Sequence, residues 1–413
     1  MQDTMRAARN WRRTLAIMGP GLIVMLADTD AGSIITAAQS GAQTGYQLLL
    51  LQGLLIPILF VAQELTLRLG LVTGRGHGEL IRARFGLGWA SLSVGTLVLS
   101  CVGALLTELS GIAGVAQLFG VPAWIAMLLT VSFMILMIVT GSYRSVERIV
   151  ILFGLFEFAF LLVAWKAAPS GAGMLREMQQ LPLHDNNFLF LAAANIGAVI
   201  MPWMIFYQQS EVIDKGLTPR DFRIARFDTA VGAVITQVIM AAVLIATAAT
   251  LHRDGVRSPL DNVPQIAGAL TAFLGVEVGR VVFALGMMGA ALVATVVVCL
   301  TAAWGLGEIT GYKRSLEHHP LEAPWFYGVF SLTLVVGGVL VASGINLVNL
   351  SVAVEVMNAL LLPIVLGFLY LLARTALPEP YRLQGMYAWL VGALMLVTAG
   401  LGVYAGMRGI FGG

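Results

Sequence analysis

Eleven apolar stretches, nearly all 20 residues or longer, recur along this chain, at roughly 14–42, 47–71, 89–118, 122–141, 147–167, 187–213, 227–251, 279–306, 325–343, 346–373 and 385–407. About 20 such residues in a helix cross a hydrocarbon core of about 30 Å. Lipid satisfies no backbone donor or acceptor, and no stretch alternates as a barrel strand would, so every crossing must be helical. The composition agrees: 413 residues, 58% hydrophobic and 11% charged, with mean hydropathy +0.88. The expectation is an all-α membrane protein of 11 transmembrane helices in a single domain, without linkers or low-complexity segments.

Several function classes fall away. A net charge of +2 gives no footing for nucleic acid. Cys101 and Cys299, the only cysteines, both lie inside apolar stretches, so neither a disulfide framework nor a thiolate cluster is expected. No P-loop, nucleophile motif or dinucleotide fingerprint occurs, so no enzyme activity and no cofactor is implied. No obligate protein partner is evident.

The basic residues sort by side. One set of connectors holds Arg6, Arg9, Arg12 and Arg13, then Arg68, Arg75, Arg82 and Arg84, then Arg144 and Arg148. It continues with Lys215, Arg220, Arg223 and Arg226, then Lys313 and Arg314, then Arg374 and Arg382. Only Lys166, Arg176, Arg253, Arg257, Arg280 and Arg408 fall elsewhere. The positive-inside rule places the N-terminus in the cytoplasm and the C-terminus outside, in a prokaryotic inner membrane. The first stretch follows no cleavage site and outruns a signal peptide, so the N-terminal segment is expected to be retained.

Within the first stretch, Leu26-Ala27-Asp28-Thr29-Asp30-Ala31-Gly32-Ser33 puts two acids where a membrane helix should be uniformly apolar. Each costs roughly 2.5–3.5 kcal/mol at a helix centre unless it meets a partner or a cavity. Ala31-Gly32-Ser33 follows the acids as a breaker, and the sixth stretch is also interrupted, by Gly197 and Pro202 in Gly197-Ala198-Val199-Ile200-Met201-Pro202-Trp203. The two lie five spans apart, and an odd number per repeat inverts its topology. Spans 1–5 (about 14–167) then mirror spans 6–10 (about 187–373), with an extra helix at about 385–407. Paired interruptions of this kind point to a midplane transport site. An isolated proline or glycine is ordinarily a kink, and Asp30 alone could serve a buried arginine; it is the pairing that favours a site.

The donors suggest a cation. Asp30 offers a charged oxygen, Ser33 a neutral one, Met201 a thioether, and carbonyls near Ala27 and Ala198 are freed if the helices unwind. Mixed oxygen and sulfur suits Mn²⁺ or Fe²⁺ better than Mg²⁺ or Ca²⁺. Met201 could equally fill a core.

Three motifs carry a resemblance to the Nramp family of divalent-metal transporters. Met18-Gly19-Pro20-Gly21 through Asp30-Ala31-Gly32-Ser33 to Gly41-Ala42-Gln43-Thr44-Gly45-Tyr46 resembles its first-helix signature. Leu69-Gly70-Leu71-Val72-Thr73-Gly74 resembles its LGxxTG segment, and Ala198-Val199-Ile200-Met201-Pro202 its A-x-x-M-P motif. Gly141-Ser142-Tyr143-Arg144 with Glu147 is similar to the family's approach to the fifth helix. The likeness covers at least the first half; the last four spans match mainly by topology. It implies a LeuT-type inverted-repeat fold with discontinuous helices 1 and 6, and alternating access. It assigns the metal-binding aspartate to Asp30, its amide partner to Ser33, its methionine to Met201 and its carbonyls to Ala27 and Ala198.

The departures carry information too. The family's DPGN reads Asp30-Ala31-Gly32-Ser33, and its two sixth-helix histidines read Trp203 and Gln208. Of its third-helix acids Glu108 remains, while neighbouring positions read Cys101 and Gly111. A proton relay needs such groups, so weak or absent proton coupling is expected. The pattern also resembles the Nramp-related magnesium transporters. Asp28 suits that alternative and Met201 opposes it, leaving Mn²⁺ favoured over Mg²⁺. An amino-acid carrier on the same fold is the alternative of another class, and Asp28 and Asp30 would repel its carboxylate.

Glu355, Asn358 and, more weakly, Asn349 are candidates to line or gate the site from the tenth span. Glu64 precedes Arg68 by four residues and is expected to form a helix-surface pair. His318 and His319 are expected in a solvated loop, without zinc-site spacing.

Overall fold

The computed structural model describes residues 19–140, 143–167, 171–252, 258–344 and 347–411. The N-terminal arginines, Met18, Gly141, Ser142, Arg253 and Arg257 lie outside the described residues.

The first span is two helices, α1 (Pro20–Asp28) and α2 (Ala31–Thr44), bent by 48° at the junction. There follow α3 (Leu49–Thr73), short α4 (His77–Phe85), α5 (Leu87–Leu118) and α6 (Ala123–Thr140). The fifth span is α7 (Tyr143–Gly154), a 3₁₀ turn at Leu155–Phe158 and α8 (Ala159–Ala167). After α9 (Gly171–Glu177), the sixth span divides into α10 (Asn186–Val199) and α11 (Pro202–Asp214). Then come α12 (Phe222–Leu251), α13 (Val263–Thr271), α14 (Val276–Thr310), α15 (Pro324–Ala342), α16 (Leu347–Thr375) and α17 (Gly385–Phe411).

Among the described residues ten helical spans are long and apolar enough to cross a membrane, and the bent α1–α2 pair makes eleven. Each coincides with an expected stretch, with its ends displaced by only a few residues. The largest difference is that α12 starts at Phe222, because its first turns are polar and basic and lie outside any apolar count. Helix α4 has no counterpart among the apolar stretches, since its nine residues carry three basic or acidic side chains in two turns. Helix α13 matches the short helix foreshadowed by Ile266-Ala267-Gly268-Ala269-Leu270.

Both half-helix starts follow from local chemistry. Pro20 opens α1 and Pro202 opens α11, where the missing N–H removes nothing from a helix's first turn. Asp30 caps α2, accepting from the Ser33 backbone N–H at 2.6 Å.

Burial locates the centre. The sixth span is 94% buried, against 28% for the fourth and fifth, so it forms the axis of the bundle. Helix α12 packs along α1, α2 and α3, while α16 and α17 pack along α10, and α5 pairs with α14. Gly197 lets α10 and α16 touch backbone to backbone: a Cβ there would lie 1.8 Å from the Glu355 carbonyl oxygen.

Candidate metal centre

The first break is Thr29–Asp30, and the second is Ile200–Met201, whose backbone is extended. Both differ from the expected positions. Ala31-Gly32-Ser33 does not interrupt the first span but opens α2, because the Asp30 carboxylate caps it. Gly197 stays helical, and unwinding is confined to the two residues before Pro202, where the ring excludes a regular preceding turn.

One hydrogen bond joins the breaks: the Ser33 hydroxyl donates to the Ala198 carbonyl at 3.2 Å. Around it lie Asp30 and Met201, both fully buried, with Ala27 in the last turn of α1. One Asp30 oxygen holds Ser33, and the other has no protein partner. The Met201 sulfur accepts from the Trp203 indole N–H at 3.2 Å. Trp203 therefore does touch the site, through sulfur.

Acids from two other helices meet the first break. The Ala31 N–H donates to Glu108 of α5 at 3.0 Å, and the Thr107 hydroxyl lies 3.2 Å from the same carboxylate. From α16, Glu355 crowds Gly32 so closely that a Cβ there would lie 2.5 Å from its Oε1 and 3.4 Å from an Asp30 oxygen. Asn358 donates to Glu355 at 3.0 Å and accepts from Ser100 at 2.8 Å. Asp28 is buried with neither oxygen bonded. Asp28, Asp30, Ser33, Glu108, Ala198, Met201, Trp203, Glu355 and Asn358 thus gather around the two breaks.

Two expected residues do not. Asn349 is exposed near the start of α16. Gln208 points from α11 to Thr229 of α12, at 2.9 Å, and ties two helices instead of lining the junction.

Among the described residues no three His, Cys, Asp or Glu converge as a metal cage. A cation here would take its ligands from Asp30, the Ser33 hydroxyl, the Ala198 carbonyl and the Met201 sulfur. One carboxylate with neutral oxygen and a thioether is a borderline-soft donor set.

The centre is closed at both ends. On one side Gln52 of α3 donates to Asn195 at 2.6 Å, and Asn195 donates to Ser40 of α2 at 2.7 Å. On the other, Asp228 of α12 accepts the N–H groups of Gly19, Gly21 and Leu22 at 3.1, 2.9 and 3.2 Å, fastening the start of α1. Beside Gly19, Lys215 pairs with Glu147 at 2.5 Å. Helix α4 is knotted to the same end: Glu308 accepts from Gly78 at 2.6 Å and from Ser210 at 2.7 Å, and His77 lies 3.2 Å from Gln209. Burial drives the His77 imidazole down to about 4, against the hydrogen bond it makes to the Gln209 amide oxygen. Asp228, Asn195 and Thr107 drew no role from the sequence; polar side chains within apolar stretches were the available signal.

Elsewhere, Glu64 does pair with Arg68, at 2.5 Å, but it is buried and also 3.7 Å from Arg226, so the pair is an internal clasp instead of a surface one. His318 approaches Glu322 at 3.8 Å and His319 accepts from the Leu321 N–H, both in an exposed loop.

Residues 21–408 match the family model described as natural resistance-associated macrophage protein-like, Nramp. A divalent metal cation transporter, MntH, of Bradyrhizobium diazoefficiens is 30% identical over 310 residues, covering 70% of this chain and 67% of the relative. A manganese transporter of Eremococcus coleocola superposes with a TM-score of 0.75 at 19% identity, over 97% of this chain and 89% of that one. A nucleobase-cation-symport-1 family transporter superposes at 0.62 and 14% identity, over 95% and 91%. The shared architecture is the LeuT-type inverted repeat with discontinuous first and sixth helices.

Proposed function

This chain belongs to the Nramp family, and from that premise we propose that it carries divalent metal cations across a membrane by alternating access, with Mn²⁺ preferred over Mg²⁺. The observation that carries the reading is the junction itself: a buried Asp30 oxygen with no protein partner, beside a hydroxyl, a carbonyl and a thioether drawn from two helix breaks. Asp30, Ser33, Met201 and the Ala198 carbonyl are the proposed ligands, with Ala27 contributing when α1 moves. Relatives named for divalent metal and manganese transport support the substrate class. Neither the magnesium nor the organic-solute reading draws support from them, and two acids at the break oppose an anionic solute.

Both ends closed make this an occluded state. Release to one side requires α1 to leave Asp228, and release to the other requires the Gln52–Asn195–Ser40 chain to part. The basic connectors favour a cytoplasmic Asp228 end. Proton coupling is proposed to be weak, because α11 carries no histidine or carboxylate before Glu211.

Reconstituted protein should take up Mn²⁺ into proteoliposomes, and Asp30→Ala should abolish uptake. Met201→Ala should erode the preference for Mn²⁺ over Ca²⁺ and Mg²⁺. Full uptake by Asp30→Ala would overturn the site, and strong metal-driven acidification of the lumen would overturn weak coupling.

A further inference from the structure

Five carboxylates, Asp28, Asp30, Glu108, Glu157 and Glu355, are buried around the first break, each at most 1% exposed. Among the described residues none forms a salt bridge with Lys, Arg or His. Three of them are held by the protein: Asp30 by Ser33, Glu108 by Ala31 and Thr107, Glu355 by Asn358. Asp28 and Glu157 are different. Neither Asp28 oxygen has a hydrogen-bond partner, and Glu157 has only the Thr29 hydroxyl within reach.

The two belong to one place. A Cβ on Gly154 would lie 2.5 Å from the Leu26 side chain, so the end of α7 rests on α1 one turn from its break. Immediately beyond Gly154 the fifth span tightens into the 3₁₀ turn that carries Glu157. Local 3₁₀ geometry within a long helix often marks a functional position. Glu157 faces Thr29 there, and Asp28 lies within electrostatic range of Glu157, Asp30 and Glu355. The negative C-terminal end of the α1 dipole falls at Asp28 as well.

We propose that Asp28 and Glu157, with the Thr29 hydroxyl, form a second cation subsite for a hard divalent ion, beside the Asp30–Met201 site. Buried charge without compensation is strongly unfavourable. Neutral carboxyls would not remove the problem, because the Asp28 carboxyl would still be buried without a partner. A divalent cation satisfies all four oxygens and balances two charges. The donors are oxygen throughout, the chemistry of Mg²⁺ and Ca²⁺ as well as Mn²⁺, whereas the neighbouring site contains sulfur. The proposal rests on the reading of Asp30 as the first site.

The test counts ions. Purified protein in nanodiscs is titrated with Mn²⁺, and bound ion is measured by electron paramagnetic resonance. Two Mn²⁺ per chain are expected, with excess Mg²⁺ displacing one and leaving one. Glu157→Gln should reduce the count to one, an ion that Mg²⁺ displaces poorly and that Met201→Ala weakens. Asp28→Asn gives the same readout if Glu157→Gln does not fold. A single Mn²⁺ in the wild type, unchanged in both variants, overturns the second subsite. Asp30→Ala distinguishes the two ideas: it should remove the Mg²⁺-resistant ion and leave the other. Persistence of the resistant ion would overturn the first site instead.

Discussion

The indole N–H of Trp203 donates to the sulfur of Met201 at 3.2 Å, across one residue, at the start of α11. In the closed state the Met201 sulfur, the soft donor proposed for the junction, is therefore engaged by its own half-helix. A cation must displace or share that contact. A net hydrogen bond is worth about 0.5–1.5 kcal/mol, and sulfur is a weak acceptor. Trp203→Phe should tighten binding of a soft ion such as Cd²⁺ by roughly two- to tenfold, with little change for Mg²⁺. Isothermal titration of both ions checks this, and equal shifts for Cd²⁺ and Mg²⁺ would refute it.

Gly197 presses on the backbone of α16, so the added methyl of Gly197→Ala has no flexible neighbour to push. Overpacking of this kind costs about 1–3 kcal/mol, and the upper end is expected, read as a lower melting temperature in detergent. Gly367 on the same α16 has open space around its Cβ position. Gly367→Ala should instead stabilise by roughly 0.5–1 kcal/mol, because alanine is the better helix former.

Asp228 satisfies three donors at the start of α1, which the helix cannot pair internally. Asp228→Ala strands them and should cost about 1–3 kcal/mol. The loss should appear as release of α1. With Ile23→Cys as reporter, labelling by a membrane-impermeant thiol reagent should accelerate several-fold in Asp228→Ala and less in Asp228→Asn, which keeps an acceptor. The native Cys101 and Cys299 are buried and give a low background.

His77 is neutral in the fold, its titration lowered to about 4 from an ordinary 6.5. Below pH 6.5 the unfolded chain binds a proton that the folded chain refuses, so stability falls as pH drops from 6.5 towards 4. The full loss is about 3 kcal/mol at about 1.4 kcal/mol per unit. Melting temperature against pH should flatten over that window in His77→Gln. An unchanged slope would exclude His77 as its source.

The membrane class, the number of spans and, to within a few residues, the location of both interruptions were legible because apolar runs are a one-dimensional signal: about 20 residues must be apolar to cross a bilayer. Asp30 and Met201 stood out for the same reason, as breaks in a uniform pattern. The pairing of Glu64 with Arg68 was also legible, since four residues is a helical neighbour distance, but its burial under Arg226 was not.

Tertiary structure alone decided which polar groups meet. Asp228 lies about 200 residues from the helix start it caps, Glu355 more than 300 from the glycine it crowds, and their partners are set by helix packing. Asn349 and Glu355 sit on one helix six residues apart, yet one is exposed and the other fully buried. Periodicity shows that a helix has faces, whereas only its neighbours determine which face is inside. Sequence thus located the two breaks, and packing turned them into one junction with five acids around it.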